Sequence, residues 1–200
     1  NIIGTNLSFL AEKVIEISKK ARTQTNIGLN YLSVSGLAIK LVKNIFENPE
    51  NQNILVVGAG SLAQDVIKSL YGKGINNIKS VNRSIRKIAI NDTYEILSSS
   101  LEALHDHLEY ADIVIASSAT ELPLIGKGAI ENALKARRNK PMLLIDLGVP
   151  RNIEEEIRDI EQAYLFSIDD IEKITQENYG QRSIEAEKAM NIIALDSKSK

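Results

Sequence analysis

The densest grouping of residues able to do chemistry is Gly58-Ala59-Gly60-Ser61-Leu62-Ala63, set between the apolar run Ile54-Leu55-Val56-Val57 and a helical period. A strand that passes into a helix through such a turn offers an anion unpaired amide N–H groups and the positive end of the helix. Gly58 permits the sharp bend and Gly60 the close approach of a pyrophosphate. Ala63 stands where a third glycine would be, which loosens helix–strand packing only slightly. The competing reading is a glycine turn with no ligand. A second grouping, Asn82-Arg83-Ser84, follows the next apolar run. A site for NAD normally places a carboxylate there, about 20 residues on, for the ribose 2′-hydroxyl. An acid would repel a 2′-phosphate, whereas the Arg83 guanidinium can take one in a fork of charge-assisted hydrogen bonds. Ser84 is expected to cap a short helix over 84–90, with Arg86 or Lys87 adding positive charge one turn later. The alternative is an ordinary solvated basic helix start. Together the two groupings point to NADP(H), not NAD(H).

Two further segments fall where strands should meet a crevice at their carboxyl ends. In Ser117-Ser118-Ala119-Thr120 the small hydroxyl residues would let a nicotinamide ribose lie against the backbone; a plain serine-rich loop is the alternative. In Asp146-Leu147-Gly148-Val149-Pro150-Arg151, Asp146 could orient the nicotinamide side, or equally cap Arg151 or the following turn. The cofactor-binding candidates are therefore Gly58, Ala59, Gly60, Ser61, Leu62, Ala63, Asn82, Arg83, Ser84, Lys87, Ser117, Ser118, Asp146 and Gly148. Lys135, Arg137, Arg138 and Lys140 form a basic cluster at a helix end, where cations complement the helix dipole. A contact to a nucleic-acid phosphate is the sharper reading of that cluster. His105 and His107 are expected at the surface.

The elements that must position these residues are legible from periodicity. Leu7, Leu10, Val14, Ile17 and Ala21 make a narrow seam on an amphipathic helix, and a second helix is expected over 31–46. Strands are predicted at 54–57, 78–81, 113–116, 142–145 and 163–166, with a weak one at 94–97. Helices are predicted at 61–71, 84–90, 101–108 and 127–138. The alternation implies right-handed βαβ units in an α/β fold: a Rossmann-like, doubly wound, mostly parallel sheet with N-terminal helices and a C-terminal extending helix. Three regions are expected: a helical linker over 1–50, an NADP(H)-binding domain over 51–167, and the start of a long C-terminal helix over 168–200.

Composition narrows the classes. The 200 residues are 44% hydrophobic and 25% charged, enough apolar content to bury a core. Aromatics are 4% with no Trp, which disfavours a base-stacking surface, and a net charge of -2 argues against a dedicated nucleic-acid domain. The sequence has no Cys, so it offers neither a cysteine nucleophile nor thiolate metal ligands, and no metal site is expected. No apolar run approaches membrane-spanning length and no secretory signal opens the chain, so a cytoplasmic location without membrane contact is expected. Because the first residue is Asn, the sequence is expected to be part of something longer.

The order of segments resembles glutamyl-tRNA reductase along essentially the whole chain. The resemblance rests on Ala21-Arg22-Thr23-Gln24-Thr25 with Ile27-Gly28, the turn at Gly58, Asn82-Arg83-Ser84, and Ala111-Asp112-Ile113 leading to Ser117-Ser118. It extends through Pro123-Leu124-Ile125, Ala133-Leu134-Lys135-Ala136-Arg137-Arg138, Asp146-Leu147-Gly148-Val149-Pro150-Arg151, and Tyr164 followed by Asp169-Asp170-Ile171. Departures are Gln24 for Glu, Ser84 for Thr, and Gly148 where Ala is common. The resemblance implies a family in which a cysteine takes glutamate from its tRNA as a thioester. NADPH then reduces it to glutamate-1-semialdehyde, at the entry to tetrapyrrole (porphyrin) synthesis. It also implies an N-terminal catalytic domain, a central NADPH domain and a C-terminal dimerisation domain on a spinal helix. This sequence would then hold the linker end, the NADPH domain and the start of the last helix, with no catalytic residue. By itself it would be inactive in the full reaction. Glutamyl-tRNA would engage the missing domain, the whole protein would be a homodimer, and an aminomutase is the expected downstream partner. Two alternatives stand beside it. One is a shikimate-dehydrogenase-like NADP oxidoreductase domain, whose family shares the Asn-Arg-Ser/Thr turn. The other is a non-enzymatic helical module that binds partner helices through the 7–21 seam and the 184–193 stripe.

Overall fold

The computed structural model describes residues 13–17, 20, 33–176, 190, 191, 193 and 194. Residues 13–17 and 20 are helical, and the remainder of the 7–21 seam lies outside the described residues, as do Tyr31 and most of the 184–193 stripe. Two compact units are present: Ser33–Lys173, and a second comprising Asn1–Leu32 with Ile174–Lys200. The first unit is larger than the expected domain over 51–167, because the preceding helix packs into its core.

That helix, α1 (Val34–Ile45), begins at Ser33, whose hydroxyl accepts the Gly36 amide at 3.1 Å. This satisfies one of the donors that a helix start leaves open. Its apolar stripe, Ala38, Ile39, Leu41 and Val42, is buried with Val56, Val66 and Ile67. The main sheet has six strands, lying side by side in the order 99–100, 78–82, 54–57, 113–116, 142–146, 163–167, and every pairing is parallel. They are β1 (Ile54–Val57), β2 (Ile78–Asn82), β5 (Ser99–Ser100), β6 (Ile113–Ala116), β7 (Met142–Asp146) and β8 (Ala163–Ser167). The apolar runs β1, β6 and β7 are buried throughout, as a sheet covered on both faces requires. Alternate residues face opposite cores: Ile54 and Val56 join one cluster, Leu55 and Val57 the other. The covering helices are α2 (Ser61–Tyr71), α3 (Leu104–Tyr110), α4 (Lys127–Ala136) and α5 (Ile168–Gln176). The chain reverses direction across the sheet between β1 and β6, the place where such folds open a crevice.

One predicted helix is absent. Residues 84–90 hold no helix but the strand β3 (Lys87–Ala89), antiparallel to β4 (Glu95–Leu97). The reason is the turn between them. The Asn91 side-chain oxygen accepts the Thr93 and Tyr94 amides and the Thr93 hydroxyl, closing an Asx turn that here joins the two strands. Ile88 then points into the core, and Tyr94 stacks on Tyr71 with ring centroids 5.2 Å apart. Ser84 therefore caps no helix.

The basic cluster divides. The Asp112 carboxylate is 3% exposed and accepts Arg137 Nη2 and Lys140 Nζ at 2.7 Å each, while its other oxygen accepts the Asn53 amide at 3.0 Å. Burial pushes the Asp112 carboxyl up, but the Arg137, Asn53 and Lys140 hydrogen bonds outweigh it and hold it below its ordinary value. This ion pair ties the start of β1 and β6 to the end of α4, which is a structural role. His107 is half-buried, not a surface residue: its Nε2 lies 3.0 Å from the Ser99 hydroxyl, and burial followed by the Lys79 cation lowers its pKa.

At the other end of the sheet, Ser167 and Asp170 cap α5 reciprocally. The Asp170 carboxylate accepts the Ser167 amide at 2.9 Å, and the Ser167 hydroxyl accepts the Asp170 amide at 3.3 Å. Burial raises the Asp170 carboxyl, but these bonds and Arg158 bring it from 3.8 to about 2. A carboxyl lowered in the folded state stabilises above its unfolded pKa and loses that contribution as pH falls through its folded one. Asp170→Asn should therefore cost about 1 kcal/mol at neutral pH, the usual worth of a cap. The loss should vanish between about pH 4 and pH 2, as urea denaturation across that window would show.

Candidate functional site

At the carboxyl ends of β1, β2 and β6 the chain opens a crevice of about 280 Å³. Three segments build it. The floor is the glycine turn. Val57 and Ala116 are register partners, so Gly58 and Ser117 meet where the strands end. Gly58 has φ of +123°, and a Cβ there would lie 2.1 Å from the Ser117 carbonyl oxygen. Only glycine fits that position. The turn is pinned from behind: the Gly58 amide donates to Val81 O at 2.8 Å, Ser80 Oγ to Gly58 O at 3.3 Å, and Gln64 Nε2 to Ala59 O at 3.1 Å. Gly60 is different, for a Cβ on it would meet nothing within 4 Å. It is also the N-cap of α2, and no side chain caps the helix there. The first-turn amides of Ser61, Leu62 and Ala63 are thus left to whatever approaches from the crevice, with the helix dipole behind them. An open cradle over uncapped amides suits a diphosphate.

One wall is the turn after β2. Asn82 Nδ2 donates to Ser84 O at 3.0 Å and holds the turn, while Arg83, Ser84 and Arg86 line the crevice with exposed side chains. Nothing in this wall is acidic, so the lining carries positive charge and no carboxylate. The other wall is Ser117, Ser118, Ala119, Thr120 and Leu124.

The structure thus brings Gly58, Ala59, Gly60, Asn82, Arg83, Ser84, Ser117 and Ser118 together around one crevice. Ser61 is exposed at the α2 start, Leu62 packs against the core, and Ala63 is fully buried. Three other candidates stand elsewhere. Lys87 lies on β3, its ammonium 2.7 Å from Glu95, which raises its pKa by that hydrogen bond first and the charge second. Its place one helical turn into the wall disappears with the helix; Arg86 supplies the cation there instead. Asp146 is buried, and its carboxylate accepts three amides, from Gly148 at 2.9 Å, Asn152 at 2.8 Å and Ile153 at 3.0 Å. It organises the turn after β7 and does not line the crevice. Burial raises its pKa against those three donors. Gly148 is buried behind it.

The residue that sequence reading missed is Asn152. It is 0% exposed, and its side chain grips the 117–120 wall from behind. A buried Asn in a turn leaves no periodic mark; the only available signal was an amide residue just past Pro150-Arg151. Among the described residues, no cluster of three or more His, Cys, Asp or Glu could hold a metal ion, and no helix is long and apolar enough to cross a membrane.

Comparison with known proteins agrees with this architecture. The family model for shikimate / quinate 5-dehydrogenase matches residues 40–174. The glutamyl-tRNA reductase of Pseudoalteromonas translucida is 40% identical over 201 residues, covering 99% of this chain and 48% of that protein. The glutamyl-tRNA reductase of Psychromonas ingrahamii is 42% identical over 178 residues, covering 88% of this chain and 42% of that protein. The chain therefore spans about half the length of the curated relatives it matches. Among solved structures, glutamyl-tRNA reductase from Methanopyrus kandleri superposes with a TM-score of 0.68 at 28% identity, covering 97% of this chain and 49% of that one. The nucleotide-binding domain of glutamyl-tRNA reductase from Thermoplasma volcanium shares the fold, with a TM-score of 0.54 at 20% identity over 77% of this chain and 99% of that one. The chain belongs to the family that the shikimate / quinate 5-dehydrogenase model describes, and over about half their length it is similar to glutamyl-tRNA reductases.

Proposed function

We propose that this chain is the NADPH-binding part of a glutamyl-tRNA reductase, the enzyme reducing glutamyl-tRNA to glutamate-1-semialdehyde. The observation carrying the cofactor reading is the pairing, in one crevice, of uncapped helix amides beside Gly60 with the Arg83 wall that lacks any carboxylate. A bound NADPH supplies a hydride. This chain's residues bind and orient it: the Gly58–Gly60 turn and the amides of Ser61, Leu62 and Ala63 hold the diphosphate. Asn82 sets the turn from which Arg83, Ser84 and Arg86 reach the 2′-phosphate, and Ser117 and Ser118 back the nicotinamide half.

With no Cys among its 200 residues, the chain has no thiol to accept the glutamyl group. The thioester-forming nucleophile of the whole protein lies outside this sequence, which alone does not turn over glutamyl-tRNA. The tRNA contacts, the homodimer, the cytoplasmic setting and the aminomutase that takes up the product belong to that same reading of the whole protein.

The family model gives the second reading, a shikimate-dehydrogenase-like NADP oxidoreductase. The two part on the substrate side: that enzyme needs a catalytic Lys–Asp pair, and the reductase needs a cysteine in a Ser/Thr-Cys-Asn-Arg-type segment upstream. For the cofactor, fluorescence titration should show NADPH binding about tenfold or more tightly than NADH, the worth of one charge-assisted contact. Equal affinities would remove the 2′-phosphate role. Binding of neither nucleotide would favour the helical interaction module.

A further inference from the structure

Every polar group of Asn152 is engaged, and its partners share one neighbourhood. Its amide donates to Asp146 Oδ2 at 2.8 Å. Its carbonyl accepts the Leu124 and Ile125 amides at 2.8 and 3.1 Å. Its side-chain oxygen accepts the Ser118 amide at 2.6 Å, and its Nδ2 donates to Ser118 O at 3.0 Å and Thr120 Oγ1 at 3.3 Å. One fully buried residue thus ties down both ends of the segment that forms the second crevice wall. Asp146 in turn holds the Asn152 backbone, and Gly148 makes room: a Cβ on it would lie 2.6 Å from Asn152 Oδ1. On its other side the wall abuts Gly58, since the Ser117 amide donates to Val57 O at 2.8 Å and the Ser117 carbonyl fills the space a Gly58 side chain would need. Buried networks with every member satisfied have one geometry and resist drift.

We propose that Asn152 and Asp146 are positioning residues. They form a buried latch that sets the 117–120 wall against the Gly58 turn, and through it the seat of the nicotinamide half of the coenzyme. Neither touches the crevice. The inference rests on the NADPH reading above and adds a division of labour to it: the Arg83 side holds the adenylate end, and the latch governs the other.

The test compares NADPH with adenosine 2′,5′-bisphosphate, which carries the 2′-phosphate but no nicotinamide, on the whole protein. Asn152→Ala deletes the side-chain bonds to the wall. Asn152→Asp keeps the size and the oxygen that accepts the Ser118 amide but loses the Nδ2 donor to Ser118 O and Thr120 Oγ1. Each variant should weaken NADPH about tenfold, the value of roughly one lost buried hydrogen bond, and leave the bisphosphate within about twofold. Retained bisphosphate binding also reports an intact fold, and if Asn152→Ala does not fold, Asn152→Asp carries the comparison. A folded variant that binds NADPH like the parent, or loses both ligands equally, overturns the latch. A parent protein that binds neither ligand overturns the cofactor reading, and the latch with it.

Discussion

Gly58→Ala is expected to abolish coenzyme binding and to destabilise the fold by about 3 kcal/mol or more, whereas Gly60→Ala should fold normally and lose binding alone. The two glycines stand two residues apart but do different work. At Gly58 the new methyl would sit 2.1 Å from a backbone carbonyl oxygen that belongs to β6's end, with φ at +123°. Neither the carbonyl nor the strand can retreat without breaking the β1–β6 register, so overpacking and backbone strain add. At Gly60 nothing lies within 4 Å of the added atom, and its backbone is extended, so the folded chain tolerates it. What fills instead is the space a diphosphate must enter, and affinity should fall about tenfold or more through lost amide contacts. Thermal melting paired with NADPH titration separates the two. Equal melting temperatures for both variants would show that the Ser117 contact does not confine Gly58.

Arg83→Ala should weaken NADPH by about ten- to a hundredfold, the range for losing a charge-assisted phosphate contact, and leave NADH within about twofold. Arg83 is exposed in the crevice wall and bears no structural load in the described residues, so stability should move by less than about 0.5 kcal/mol. Arg86, the second cation of that wall, keeps part of the attraction for a 2′-phosphate, which is why the loss stays finite. Raising ionic strength should narrow the gap between the two coenzymes, because an exposed charge pair is screened. A variant that loses both coenzymes alike would place Arg83 at the diphosphate instead.

Much of the fold was legible along the chain. The buried strands β1, β6 and β7 declared themselves as continuous apolar runs, and the helices expected over 61–71 and 127–138 as apolar stripes, the second ending at Ala136, because those periods arise from covering a sheet on both faces. The Gly58 turn was legible for a local reason too: strand, glycines and helix start are contiguous. Residues 84–90 were misread because Ile85, Ile88 and Ala89 with intervening cations suit a short helix as well as a strand. The arbiter, Asn91 closing a hairpin onto Tyr94, lies beyond that window. Asp112 and Arg137, 25 residues apart, gave no sign of pairing, since each is unremarkable in its own helix end or strand start.

By itself the order of residues determined the α/β class, the strand–glycine turn–helix start at Gly58–Gly60 and the Asn82-Arg83-Ser84 turn without an acid, since each depends on neighbours within one βα unit. Tertiary structure alone decided which candidates meet. It carried Lys87 off to Glu95, turned Asp146 inward onto three amides, and put Asn152 behind a wall 34 residues earlier in the chain. Such partnerships rest on parallel strands brought side by side by crossovers. Their hydrogen bonds join positions whose separation along the chain carries no period.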